Sequence, residues 1–203
     1  IKIPTIKWEL KEGKVAYIQL FNFGQTAPSE FRTKVLEVLR GPADRIILDL
    51  RNNPGGFLEV SQDIAGWFVE SGSVVAIEDF GNGAGTKEYR ASGNGVLKNM
   101  PLVVIINEGS ASASEILAGA LRDNRKVKLV GAKSFGKGSV QQLENMRWGT
   151  SLKVTIAKWL TPSGKSISNE GLEPDVKVEI SKEDVENLKD PQLEKAMEIV
   201  LQK

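Results

Sequence analysis

Short runs rich in Val and Ile, alternating with helical patterns, constrain this chain more than any other feature. Lys14 to Leu20, Arg45 to Leu50, Ser73 to Ile77, Leu102 to Asn107 and Val127 to Gly131 read as strands, each bounded by turn residues. Between them, Phe31, Val35, Val38 and Leu39 recur at helical spacing after a candidate cap at Ser29, and Gly41-Pro42 ends that pattern. A second helix is predicted from Val60, Ile64, Trp67 and Phe68, and a third from about Ser112 to Asp123 with Ile116, Leu117, Ala120 and Leu121 buried. Strand alternating with helix predicts an α/β fold, a largely parallel sheet flanked by helices.

The remainder is less regular. Glycines at 81, 83, 85, 93 and 95 mark Gly81 to Asn99 as a hairpin or excursion. Ser139 to Leu143 and Leu152 to Trp159 read as further strands, Thr161-Pro162-Ser163-Gly164 as a turn, and Asp190-Pro191 as the cap and first turn of a last helix bearing Leu193, Met197, Val200 and Leu201. No repeat or linker divides the 203 residues, so one domain, 1–203, is expected. The longest strongly apolar run, Leu102 to Ile106, is far short of the roughly 18 residues of a membrane span. The chain begins with Ile and shows no signal peptide, which predicts a piece of a longer protein.

Composition restricts the chemistry. There is no His and no Cys, which excludes an imidazole triad, an HExxH zinc site, a thiolate nucleophile and any disulfide. Proton transfer falls to Lys, Asp, Glu or Tyr, and no metal or cofactor is expected. A net charge of +1 offers no field for nucleic acid or an anionic surface.

Three segments carry candidate chemistry. Gly131 to Lys137 comes within one residue of a phosphate loop, but Gly138 stands where the magnesium-binding hydroxyl belongs and a strand rather than a helix follows. The alternative makes Lys137 a base. A lysine amine in water titrates near about 10.4, so a neutral one near pH 7 to 8 requires a bias of roughly 4 kcal/mol against its charge. Phe135 and Val140 are expected to exclude water from it, and Gln141, on the same strand face, to orient it. The second segment is Ser110-Ala-Ser-Ala-Ser114 at a strand-to-helix junction, where first-turn N–H groups stay free to hold an oxyanion. Ser112 with Glu115 also matches a helix capping box, which accounts for that serine without chemistry. The third is Asp49 to Gly56, whose Pro-Gly-Gly turn can present N–H groups to an anion or serve only as a tight loop. In a parallel sheet all three lie near the carboxyl ends of strands and can share a cleft.

Together, Asp-Leu-Arg-Asn-Asn-Pro-Gly-Gly at 49–56, Gly-Ser-Ala-Ser-Ala-Ser-Glu-Ile at 109–116 and Phe-Gly-Lys-Gly-Ser-Val-Gln at 135–141 closely resemble the carboxyl-terminal processing (tail-specific) proteases. Thr161 to Ile167 and Gly171 to Asp175 look like that family's closing segment. The resemblance implies a ClpP/crotonase-like fold and a Ser-Lys endopeptidase acting on unfolded or carboxyl-terminal polypeptide segments. It places the nucleophile on Ser112, the base on Lys137, support for the base on Gln141, an acidic position on Asp123, and oxyanion donors on Ala113 and on Gly55 or Gly56. It also implies an extracytoplasmic setting. Family members usually carry a PDZ domain, in bacterial ones upstream of a segment like Ile1 to Leu20, and its absence here predicts a catalytic core without regulated tail capture. The competing expectations are a noncatalytic peptide-binding scaffold and a crotonase-type acyl-CoA enzyme.

Overall fold

A computed structural model describes residues 4–202. Its main sheet has six strands in the order β1 (Ile6–Lys11), β2 (Val15–Leu20), β3 (Arg45–Asp49), β6 (Leu102–Ile106), β7 (Lys128–Gly131) and β10 (Val176–Lys177). β2, β3, β6, β7 and β10 pair in parallel, while β1 runs antiparallel to β2. Helices α1 (Ala27–Arg40), α2 (Leu58–Phe68) and α3 (Ala113–Arg125) lie with the larger core, and α5 (Pro191–Leu201) covers the other face.

The continuous apolar runs follow from burial on both faces. In β3, Ile46 and Leu48 enter the larger core while Ile47 enters the smaller one against Ala196 and Val200. In β6, Val104 and Ile106 take the first face, Val103 and Ile105 the second. Each helix supplies the expected stripe, with Phe31, Val35 and Val38 of α1 and Ile64 and Phe68 of α2 fully buried. Leu39, also expected inside, is 41% exposed. The cap expected at Ser29 falls inside α1, which begins two residues earlier with Pro28 in its first turn. Asp190 caps α5 as expected, accepting from Leu193 N.

The second sheet was not anticipated. β4 (Val74–Asp79), read from its composition as one more strand of the parallel series, instead belongs to a separate antiparallel sheet with β5 (Thr86–Arg90), β9 (Ser151–Leu160) and β8 (Ser139–Asn145), in the order β5-β4-β9-β8. Composition marks a strand but not its partner, and Gly81 to Gly85 turn β4 back as a hairpin onto β5. β8 and β9 form a long arm whose residues 141–156 are all exposed, with Trp148 at its tip. A short helix, α4 (Lys182–Glu186), precedes α5. Among the described residues no helix is long and apolar enough to cross a membrane.

Candidate active site

The turn from β6 into α3 sorts the three serines. Ser110 and Ser114 are fully buried and committed to backbone. Ser110 Oγ donates to Leu50 O at 2.7 Å and accepts from Asn107 N at 3.0 Å, and Ser114 Oγ donates to Asn53 O at 2.9 Å. Ser112 is partly exposed, and its hydroxyl makes no hydrogen bond among the described residues. Its backbone sits at φ 57°, ψ −117°, a region unfavourable for a residue with a Cβ, at a cost of order 1–3 kcal/mol. A strained strand-to-helix corner that projects a serine is the geometry of a nucleophile elbow. The capping-box arrangement is present: Ser112 N donates to Glu115 Oε2 at 2.8 Å, and the Ser112 side chain stands opposite Glu115 N without closing a hydrogen bond to it.

The Asp49-to-Gly56 loop lies directly against this corner. Asn53, wholly buried, donates to Leu20 O at 2.7 Å, accepts Gly55 N at 2.9 Å, and through its own carbonyl accepts Ala111 N at 3.0 Å. Gly55 has φ 94°, and a Cβ there would stand 2.8 Å from Ser112 Cβ and 2.9 Å from Ala113 N. Glycine is required by both the conformation and the approach. Gly55 N–H is occupied by Asn53, whereas Gly56 N–H and Ala113 N–H meet no acceptor among the described residues. The start of the loop is fixed by charge. Arg51 binds Asp49 at 2.7 Å and Asp190 at 2.8 Å, and Tyr17 OH donates to Asp49 at 2.6 Å, tying the loop to β2 and α5. Burial, then the neighbouring Asp49 charge, pushes the Tyr17 phenol up, so it stays a donor.

Lys137 arrives on the loop between β7 and β8. The loop is held by Glu115, fully buried in α3, whose carboxylate accepts Ser134 Oγ (2.6 Å), Gly136 N (2.7 Å), Lys137 N (3.0 Å) and Ser112 N (2.8 Å). Four donors match the acceptor capacity of one carboxylate. Phe135 N donates to Ser110 O at 3.0 Å, and Gly138 packs backbone to backbone on Ile167 and Ser168, leaving no room for a Cβ. Ser139 then begins a strand, which disposes of the phosphate-loop reading.

The shielding expected around Lys137 differs. Its side chain is exposed, Phe135 is 67% exposed with its ring turned outward, and only Val140 packs partly against the core. The glycines bring neighbouring backbone against one side of the loop and leave the amine side open. Gln141 is exposed on β8 opposite Thr155. Asp123 is not brought to the site: eleven residues along α3 from Ser112, about 16 Å by helix rise, it accepts Ser163 N at 2.9 Å and holds the Thr161-to-Gly164 turn. Burial pushes its carboxyl up, but hydrogen bonds from Thr161 and Ser163 and the Arg122 charge outweigh this and hold it low.

Asn53 and the wider role of Glu115 were missing from the sequence reading. The available signal was a glutamate at 115 among residues that all belong inside, Ser114, Ile116 and Leu117.

The parallel sheet thus carries, beyond the carboxyl ends of its strands, a partly exposed serine, two N–H groups with no acceptor among the described residues, and a lysine-bearing loop held by the same glutamate. The chain belongs to peptidase family S41, whose model matches residues 14–178. It is 38% identical over 185 residues to the probable CtpA-like serine protease of Staphylococcus aureus strain COL, covering 90% of this chain and 36% of that protein. The corresponding protein of Staphylococcus epidermidis is 36% identical over 185 residues, covering 90% of this chain and 37% of that one. The chain therefore spans little more than a third of these relatives. Among solved structures, the photosystem II D1 C-terminal processing protease superposes with a TM-score of 0.79 at 30% identity, over 88% of this chain and 49% of that one. The tricorn protease shares the fold, with a TM-score of 0.67 at 22% identity over 94% of this chain and 18% of that one.

Proposed function

We propose that this chain is the catalytic core of a serine endopeptidase that cleaves polypeptides near their carboxyl-terminal tails through a Ser112-Lys137 dyad. The observation that carries the reading is the sorting of the serines: of Ser110, Ser112 and Ser114, only Ser112 has a hydroxyl without a hydrogen bond among the described residues, and it stands against Gly55, the neighbour of Gly56, and next to Ala113 N.

In this mechanism neutral Lys137 takes the Ser112 hydroxyl proton as the oxygen attacks a peptide carbonyl. The Ala113 and Gly56 amides stabilise the oxyanion, Gly55 being excluded because its N–H is spent on Asn53. Lys137 returns the proton to the leaving amine, and water hydrolyses the acyl-enzyme by the reverse route. A bound polypeptide covers the exposed amine and excludes water from it. Gln141 orients Lys137, and Asp123 acts at a distance by holding the turn that leads into the 167–168 segment beneath Gly138. The family relationship supports an extracytoplasmic setting.

The test is hydrolysis of an unfolded protein by wild type, Ser112→Ala and Lys137→Ala. Both variants should lose cleavage while keeping the wild-type circular dichroism spectrum. Undiminished cleavage by Ser112→Ala would remove the assignment.

A further inference from the structure

Sheet edges expose unpaired N–H and C=O groups, and proteins protect them with Lys, Pro or very short strands. Three of the four edges here follow that rule. β1 carries Lys7 and Lys11, β5 carries Lys87 and Arg90, and β10 is two residues long. β8 does not follow it. Its seven residues, Ser-Val-Gln-Gln-Leu-Glu-Asn, include no Lys, Arg or Pro and a single charge, Glu144 near its far end, and among the described residues it pairs only with β9. The ladder from Gln141–Thr155 to Asn145–Ser151 is regular, its one register shift lying at the root, between Val140 and Gln141. Leu143, on this edge, is 60% exposed.

We infer that the outer edge of β8 is a substrate track: it takes an extended polypeptide as an added strand and leads it to the catalytic corner. The inference rests on the peptidase reading above and adds to it where the chain is held. Two observations favour a polypeptide substrate as the occupant. The edge is continuous with the base-bearing loop, because Ser139 is two residues from Lys137, about 7 Å of extended chain. It also offers mainly backbone hydrogen bonds, which hold an extended chain with little regard to sequence.

The test uses the Ser112→Ala protein with an unstructured peptide of alternating Val and Ser and with the same peptide N-methylated at alternate positions, read by amide hydrogen exchange. The unmodified peptide should slow exchange within Ser139–Asn145, leave Thr86–Arg90 unchanged, and bind about tenfold or more tightly than the N-methylated one, because methylation removes strand hydrogen bonds. Protection at Thr86–Arg90 alone, or nowhere, overturns the proposal. So does protection of β8 that needs no peptide and grows with protein concentration, which would mean pairing between two copies. Protection of β8 alongside undiminished cleavage by Ser112→Ala would instead sink the nucleophile assignment and leave the track standing.

Discussion

Glu115 and Lys137 are joined through the backbone: Lys137 N donates at 3.0 Å to the same Glu115 oxygen, Oε2, that accepts Ser112 N at 2.8 Å. One buried carboxylate thus sets the spacing between the Ser112 corner and the Lys137 loop. Glu115→Gln conserves shape but turns an NH2 group toward donors. Hydrogen bonds to a charged acceptor contribute about 1.5–3 kcal/mol, so kcat/KM should fall roughly 10- to 100-fold on an unfolded substrate. Unchanged kinetics would show that the loop holds its place without the carboxylate.

The three serines should separate by phenotype. Ser112→Ala is expected to abolish cleavage with little change in urea stability. Ser110→Ala leaves Leu50 O and Asn107 N without their buried partner and should lower unfolding free energy by about 1–3 kcal/mol. Equal stability losses in the two variants would contradict the sorting.

Asn53 fastens the Asp49-to-Gly56 loop to β2 and spends the Gly55 N–H. Asn53→Ala removes bonds to Leu20 O and Gly55 N inside the core. Urea denaturation should show a loss of about 2–4 kcal/mol. Activated-ester probes, which acylate Ser112 and release their alcohol, should report slower acylation as the loop loosens.

The charge knot between α5 and the loop predicts a particular acid response. Burial works to raise the Asp190 carboxyl, but the Arg51 guanidinium and the Leu193 N–H outweigh it and hold the folded value below the ordinary one. Its contribution is therefore complete above the unfolded aspartate value, about 3.9, and is lost as pH falls through the lower folded value. Asp123 acts in the same direction at the other end of the molecule. Urea midpoints measured from about pH 5 to pH 2 should fall, and Asp190→Asn should fall less steeply. An identical slope in the variant would remove Asp190 from the account.

Much of the parallel sheet was legible because its information is local. Ile46, Ile47 and Leu48 are apolar in succession since both faces of β3 are covered, and the stripes of α1, α2 and α3 repeat at the helical period. The motifs around Ser112, Lys137 and Gly55-Gly56 were readable for the same reason, each being a few contiguous residues. β1 and β10 escaped notice: β1 alternates Ile6, Trp8 and Leu10 with charges, and β10 is too short to leave a pattern.

By itself, then, the sequence determined most of the segments that become strands and helices, excluded imidazole and thiol chemistry, and narrowed the candidate groups to a short set. Tertiary structure decided among them. Ser110 is held by Leu50, 60 positions away, and Ser114 by Asn53, 61 away, which leaves Ser112. Gly55 was separated from Gly56 by the hydrogen bond its N–H makes to a side chain folded beneath it. The same holds for β4, whose composition suits either sheet, and for Phe135, whose ring faces water. Strand and helix periods report only on neighbours a few residues apart, whereas the commitment of a donor or the choice of a sheet partner depends on groups that meet only when the chain closes.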